Sequence, residues 1–336
     1  MISLREFRDE YLEFLLRFLW QEWTALGVAG PDQVGVRHVI DPEALLLLTC
    51  SLGRYDQRLF DETLDWLTVN GRFLNVQRMR NILRREMFSG GNVLSAVADW
   101  LSKRRSPAKW KLLAQKALRE QDKESLFCLP DGRPLPGSLE KDPVFFAHGF
   151  ERNPVVLRGY SKTFPADATA CHVLKLRALF GVNARCDVLA YLTLSQTGHP
   201  RQIARELYYS QKAIHEVMFE LASSGFVHSV KLGRERVFRI SSTGFPLLTG
   251  GKELGSWINW PVVLSAAETV WQNVEELNRA ELEPDLESSE ITLEMRPILQ
   301  RLSQASWAPA QPPFESQQGM PLLTNFLNML EAITRQ

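Results

Sequence analysis

Hydrophobic positions recur at helical spacing over most of this chain. In "LREFRDEYLEFLLRFLWQEW", Leu4, Phe7, Tyr11, Phe14, Leu15 and Phe18 form one broad apolar stripe, which predicts an amphipathic helix. Asp41-Pro42 supplies a helix start, a capping side chain followed by a ring suited to the first turn, and "EALLLLTCSL" runs from it to Gly53. Asp56 caps a third helix with Leu59, Phe60, Leu64 and Leu67 on one side and Gly71 just past its end. Asn75 caps a fourth, "VQRMRNILRRE". Its Arg78, Arg80, Arg84 and Arg85 read either as the solvated face of a helical bundle or as part of a helix-turn-helix; with no strand pair following, the bundle is favoured. "SGGN" breaks the pattern, and a further basic helix is expected around Trp110–Arg119.

The pattern then loosens. "LPDGRPLPGSLEKDP" and "FERNPVVLRGYSKTFP" are rich in Pro and Gly and hold short β-type runs, "PVFFAHGF" and "PVVLRGY", which predict an irregular connecting region with a small hairpin. "TGFPLLTGGKELGSWINWP" is a second breaker-rich link, whose Trp257 and Trp260 are expected to pack on a neighbour. From about Pro261 the helical spacing returns in "VVLSAAETVWQNVEELNRA", "EMRPILQRLSQA" and "LLTNFLNMLEAIT", with "APAQPPFESQQG" as a loop. Neither an internal repeat nor a long heptad run is present.

Between the two links, the 66 residues from Leu176 to Ser241 carry the most specific pattern. A first helix has Val188, Leu189 and Leu192 on one face, and Thr197-Gly198 breaks it before Pro200 opens a second. That second helix turns Ile203, Ala204 and Leu207 inward. Ser210 caps a third, in which Ile214, Val217, Met218 and Leu221 follow the i, i+3, i+4, i+7 rule. Ser224-Gly225 ends it, and two strand-like runs, "FVHSV" and "RVFRI", flank the turn "KLGRE".

That order of elements resembles the winged helix-turn-helix domains of the MarR and ArsR groups of bacterial regulators, through "RALFGVNARCDVLAYL", "QIARELYYSQKAIHEVMFELASSGFV" and "GRERVFRI". The resemblance implies a third helix entering the major groove of DNA, with the wing tip on the backbone. Gln211, Lys212 and His215 would then reach bases, and Ser210 with the helix N-terminus would hold a phosphate. Arg201 and Arg205 would grip backbone, and Lys231, Arg234 and Arg236 would serve the wing. The apolar spacing also places Lys212, Glu216, Phe219 and Ser223 at the centre of the outward face. A carboxylate there faces repulsion from phosphates unless it accepts from a cytosine amino group or is offset by Lys212. Phe219 would meet a thymine methyl or, equally, a partner protein.

Composition adds little except in its distribution. The hydrophobic fraction of 45% is that of an ordinary globular chain, and the formal net charge is zero. Yet Arg72–Arg119 holds twelve Lys/Arg against two acidic residues, and Cys171–Ile240 ten against five, whereas Trp271–Gln336 holds four Arg against ten acidic residues. Such asymmetry suits contact with a polyanion, or solvated helix faces. The start of the chain is too charged for a signal peptide, and no apolar run approaches membrane-spanning length. Cys50, Cys128, Cys171 and Cys186 are dispersed, which suits a reducing, cytoplasmic setting and small buried side chains.

Candidate catalytic chemistry is thin. The sequence has no P-loop, dinucleotide-binding glycine motif, nucleophile elbow or zinc-protease motif. His172 adjoins Cys171, but sequence neighbours seldom make a catalytic pair; with His199, His215 and His228 it forms no compact metal-ligand cluster. Trp20, Trp23, Trp66 and Trp100 sit at helical positions and read as core. No enzyme and no cofactor is expected. The expected fold class is mainly α: a helical N-terminal domain (1–128), an irregular linker region (129–170), a central winged helix of three helices plus a two-stranded wing (171–243), and a helical C-terminal domain (244–336). The expected function is a transcriptional regulator binding double-stranded operator DNA as a homodimer. The alternative is an antitoxin-like or complex-forming interaction protein, whose winged helix and acidic C-terminal region bind a protein partner.

Overall fold

Capping and apolar spacing set the first helices. A computed structural model describes residues 2–30, 35–104, 107–114, 123–135, 140–232, 235–305 and 317–335. Helix α1 is Leu4–Ala25, capped by Ser3; α2 is Pro42–Leu52, α3 Gln57–Asn70 and α4 Val76–Glu86. Each predicted cap is made: Asp41 accepts from the amides of Glu43 and Ala44, Asp56 from Leu59, and Asn75 from Arg78. Helix α5 (Gly91–Ser102) follows the "SGGN" break, and α6 covers only Pro107–Trp110. Of the basic helix expected at Trp110–Arg119, residues 111–113 form a turn instead, and residues 115–122 lie outside the described ones.

The connecting region holds a two-residue parallel pair, β1 (Glu124–Ser125) with β2 (Phe150–Glu151), around α7 (Pro143–Ala147). Here the β-type reading of "PVFFAHGF" fails, because Asp142 accepts from the amides of Val144 and Phe145 and Pro143 occupies the first turn, so capping overrides the β-branched bias. "PVVLRGY" forms no strand either; it runs as irregular chain with Val156 and Tyr160 exposed. Nor is the region only a connector, since Phe145, Phe150 and Phe164 are buried in the main core.

Helices α8 (His172–Phe180), α9 (Ala184–Ser195), α10 (Pro200–Leu207) and α11 (Gln211–Ser223) come next. A three-stranded antiparallel sheet in the order β3-β5-β4 joins them: β3 Thr197–Gly198, β4 Val227–Leu232 and β5 Glu235–Ile240. The second breaker-rich link contains a short helix, α12 (Gly244–Thr249), and Trp257 lies edge-on to Tyr191, 4.9 Å between ring centres. The chain closes with α13 (Trp260–Ala280), α14 (Pro284–Gln304) and α15 (Met320–Arg335). Among the described residues no helix is long and apolar enough to cross a membrane.

The fold is thus mainly helical with a small sheet, but its cores do not follow chain order. Helices from both ends of the sequence bury their stripes in one core. Tyr11 on α1 donates to the Ala267 carbonyl on α13 at 2.9 Å and meets Phe326 of α15 edge-on, while Phe18 packs on Trp260. A smaller core joins Leu189, Ile203, Leu207, Ile214, Met218 and Phe238 of the central helices and sheet. Helix α8 serves both, giving Leu174 to the first and Leu176 to the second.

Between the two cores lies a buried ionic cluster. Glu43, with no exposed surface, accepts from the Asn75 amide (2.6 Å), from Arg78 (2.8 Å) and from Arg177 (2.6 and 3.0 Å). Arg78 also pairs with Asp41 and donates to the Leu207 carbonyl; Arg177 also pairs with Asp187, which accepts from the Tyr209 hydroxyl at 2.6 Å. Burial alone would raise the Asp41 carboxyl, but the adjacent Arg78 guanidinium holds it below the usual carboxylate range. Both guanidinium groups are raised against the burial penalty by these carboxylates.

Replacing Arg177 with methionine leaves Glu43 and Asp187 buried and short of their cation, so stability should fall by about 3–5 kcal/mol in urea unfolding. His172 gives a second expectation. Burial depresses it to about 4, with the neighbouring Lys175 charge adding, and its ring meets the Thr193 hydroxyl at 3.1 Å. With the folded value below the unfolded one, its contribution is complete above the ordinary histidine range. It is lost as pH falls from about 6.5 towards 4, about 3 kcal/mol in all. His172→Gln should flatten that part of the stability–pH curve.

Candidate nucleic-acid interface

Local geometry fixes the face that α11 presents. Asn183 caps α9, whose end at Gln196 takes a positive φ and turns the chain into β3. Gly198 pairs with Phe238; a Cβ there would come within 2.8 Å of the Ile203 side chain and 2.9 Å of the Tyr191 ring, so glycine permits the strand to lie flat on the helices. His199 caps α10 through its ring, accepting from the Arg201 amide, and Pro200 fills the first turn. Tyr208 takes a left-handed φ of 64°, ending α10, and Ser210 caps α11 by accepting from the Ala213 amide at 3.2 Å.

Ile214, Met218 and Leu221 point into the smaller core, with Val217 partly buried. The opposite side of α11 exposes Gln211, Lys212, His215, Glu216, Phe219 and Ser223, and Arg201 and Arg205 are exposed on α10. Both acidic side chains of this face have a cation beside them. Glu216 lies 4.0 Å from Lys212 one turn back, and Glu220 pairs with Arg185 from α9. These pairs are solvent-exposed and contribute little to stability, but they reduce the negative field on the face. Phe219 is 70% exposed, the largest apolar group presented there.

The hairpin adds positive charge in register. Lys231 is directly opposite Arg236, and His228 opposite Arg239, all four exposed. The like charges of Lys231 and Arg236, directly opposed, destabilise the ladder unless an anion lies between or near them. Side chains alternate along each strand, so Lys231 and Arg236 share the sheet face of Val227, Phe238 and Ile240, which nearer the base covers the core. His228 and Arg239 occupy the other face. The remaining wing residue expected at the site, Arg234, lies outside the described residues.

Sequence spacing did not reveal what holds this unit in place. Helix α4 lies along the α10–α11 turn: Asn81 donates to the Tyr208 carbonyl and Arg85 to that of Arg205, each at 2.9 Å. The Arg85 guanidinium sits over the Tyr208 ring, and the Tyr208 hydroxyl donates to Glu86 at 2.7 Å. Exposed Arg84 and Arg85 are thereby brought to the same edge as Arg205 and the start of α11. The run of arginines on α4 was visible in the sequence, but its destination, some 120 residues on, was not. Arg78 shows how the same run misleads, since it is buried in the ionic cluster.

The assembled face can hold anions through at least three elements, α10, α11 and the hairpin. No group of three His, Cys, Asp or Glu side chains among the described residues could hold a metal ion. No family model, curated protein or solved structure matches the chain. Tyr208→Phe removes the hydroxyl that satisfies buried Glu86. It should cost about 1–3 kcal/mol in urea unfolding and speed amide hydrogen exchange through residues Tyr208–Ser210.

Proposed function

We propose that residues 171–243 form a winged helix that binds double-stranded DNA, and that the chain is a transcriptional regulator acting as a homodimer on a palindromic operator. The observation carrying this reading is the hairpin register. Two cations, Lys231 and Arg236, stand directly opposite each other with no carboxylate paired to them among the described side chains, and His228 faces Arg239. Phosphates would relieve that repulsion, with Lys231 and Arg236 at the wing on one side of α11 and Arg84, Arg85 and Arg205 on the other. Ser210, Gln211, Lys212 and His215 open the helix that would enter the groove, with Arg201 on the preceding helix gripping backbone. Dimerisation is part of the proposal because one such module buries too little surface for tight specific binding.

A second reading, a winged helix used for protein contact, is favoured by one observation: Phe219, exposed beside Glu216 at the centre of the face. The acidic Trp271–Gln336 region would take part in it.

Titrating the full chain with DNA from upstream of its own coding sequence separates the two. Regulation predicts specific retention that weakens by about two orders of magnitude or more between roughly 50 and 200 mM salt. That estimate assumes at least four phosphate contacts. Changing both Lys231 and Arg236 to alanine should weaken binding to specific and nonspecific DNA alike. Glu216→Gln should alter base preference if Glu216 reads cytosine, and tighten binding to every sequence if it is merely repelled. Retention of neither specific nor nonspecific DNA sinks this reading and leaves the protein-contact one.

A further inference from the structure

At the turn that follows α4 is a cavity of about 320 Å³, within the range that holds small organic ligands. The C-terminal end of α2, the α4–α5 turn, α13 and the β1–β2 region enclose it. Its depth depends on Gly90, where a Cβ would come within 2.8 Å of the Cys50 Cβ and 3.0 Å of the Ser51 amide nitrogen. With no side chain there, the α4–α5 turn closes on α2 and carries Ser89 to Glu268 of α13. Glu268 is 2% exposed; it accepts from the Ser89 hydroxyl at 2.7 Å and from the Ser89 amide at 3.2 Å.

Among the described residues no lysine, arginine or histidine pairs with Glu268. It differs in this from the buried carboxylates of the ionic cluster, each of which has a guanidinium. A buried carboxylate without a counter-ion is costly, and burial raises the Glu268 carboxyl above its ordinary range, the serine hydrogen bonds offsetting this only in part. Among the described residues the one cation on the wall, Arg54, is already engaged, donating to the Leu126 and Ser125 carbonyls and to Glu124. Tyr55 and Trp271, edge to face at 5.4 Å, supply an aromatic side, and exposed Ser89, Asn92 and Glu124 stand at the rim.

We propose that this cavity binds a small organic cation, an amine or amidine on a flat apolar body, with Glu268 as its counter-ion. The nitrogen would take the place of the missing cation at Glu268, and the apolar body would lie against Tyr55 and Trp271, where an aromatic ring also favours positive charge. No described residue of α10 or α11 lines the cavity, so the site does not depend on the DNA reading.

Calorimetric titration of the full chain with benzamidine and phenethylamine, set against uncharged benzamide, tests this. The expected result is one cation bound per chain, with benzamide weaker by about tenfold or more. Glu268→Gln keeps the shape and a hydrogen-bond acceptor for Ser89 but removes the charge. It should fold, with unchanged circular dichroism, and bind benzamidine no better than benzamide. Asn92→Trp, a change at the exposed rim, should weaken both cations without loss of stability. The proposal is overturned if neither cation binds at millimolar concentration, if benzamide binds as tightly as benzamidine, or if Glu268→Gln retains the preference for the cation.

Discussion

The placement of the central helices rests on the ionic cluster of Asp41, Glu43, Arg78, Arg177 and Asp187. Asp41, Glu43 and Arg78 come from helix ends in the larger core, Asp187 from one in the smaller core, and Arg177 from α8, which serves both, so the full cluster closes only when the cores are docked. Asp41 and Glu43 open α2 and Arg78 lies in the first turn of α4; Arg177 ends α8 and Asp187 begins α9. Desolvating five charges is expensive, and their mutual attraction offsets that cost only where the remaining hydrogen-bond positions are filled. Here they are filled by the Asn75 amide, the Phe73 and Leu207 carbonyls and the Tyr209 hydroxyl. An apolar interface of equal area would tolerate sliding. Guanidinium and carboxylate groups at fixed angles do not, so the cluster selects one relative placement.

That placement governs the proposed nucleic-acid face. Arg78 reaches the end of α10 through the Leu207 carbonyl, and Asn81, Arg85 and Glu86 along the same helix hold the turn that launches α11. The orientation of α11 is therefore set from two sides, by its apolar stripe against the smaller core and by α4 against the turn. Helix α4 also leads directly into Ser89 and Gly90, the residues that meet Glu268 and α2. A single helix thus touches the ionic cluster and the α10–α11 turn, and the turn that follows it lines the cavity.

Much of the local structure was legible beforehand, and particular residues show why. Asp41, Asp56, Asn75 and Ser210 were readable as caps because a cap is decided within four residues by amides that have no other partner. The stripe Ile214, Met218, Leu221 was readable because burial of apolar side chains follows helical period. "PVFFAHGF" was misread because a short run has no period to speak of, and Asp142 with Pro143 outweighed its β-type composition. Within the candidate site, exposure of Gln211, Lys212, His215, Glu216 and Phe219 followed from the same stripe. The pairing of Glu220 with Arg185 did not, since it joins two helices.

The sequence by itself determined where most helices start, which of their faces are apolar, and that basic residues gather in α4 and in the hairpin. Those properties are set by neighbours a few positions apart, through hydrogen bonds and side-chain spacing. Only the tertiary structure decided that the two ends of the chain share one core, that Arg78 is buried while Arg84 and Arg85 are exposed, and that Glu268 has no counter-ion among the described residues. The physical reason is that a charge has no fate of its own. Arg78 and Arg84 are chemically identical on one helix, and what distinguishes them is a pair of carboxylates some 35 residues away that only folding brings within reach.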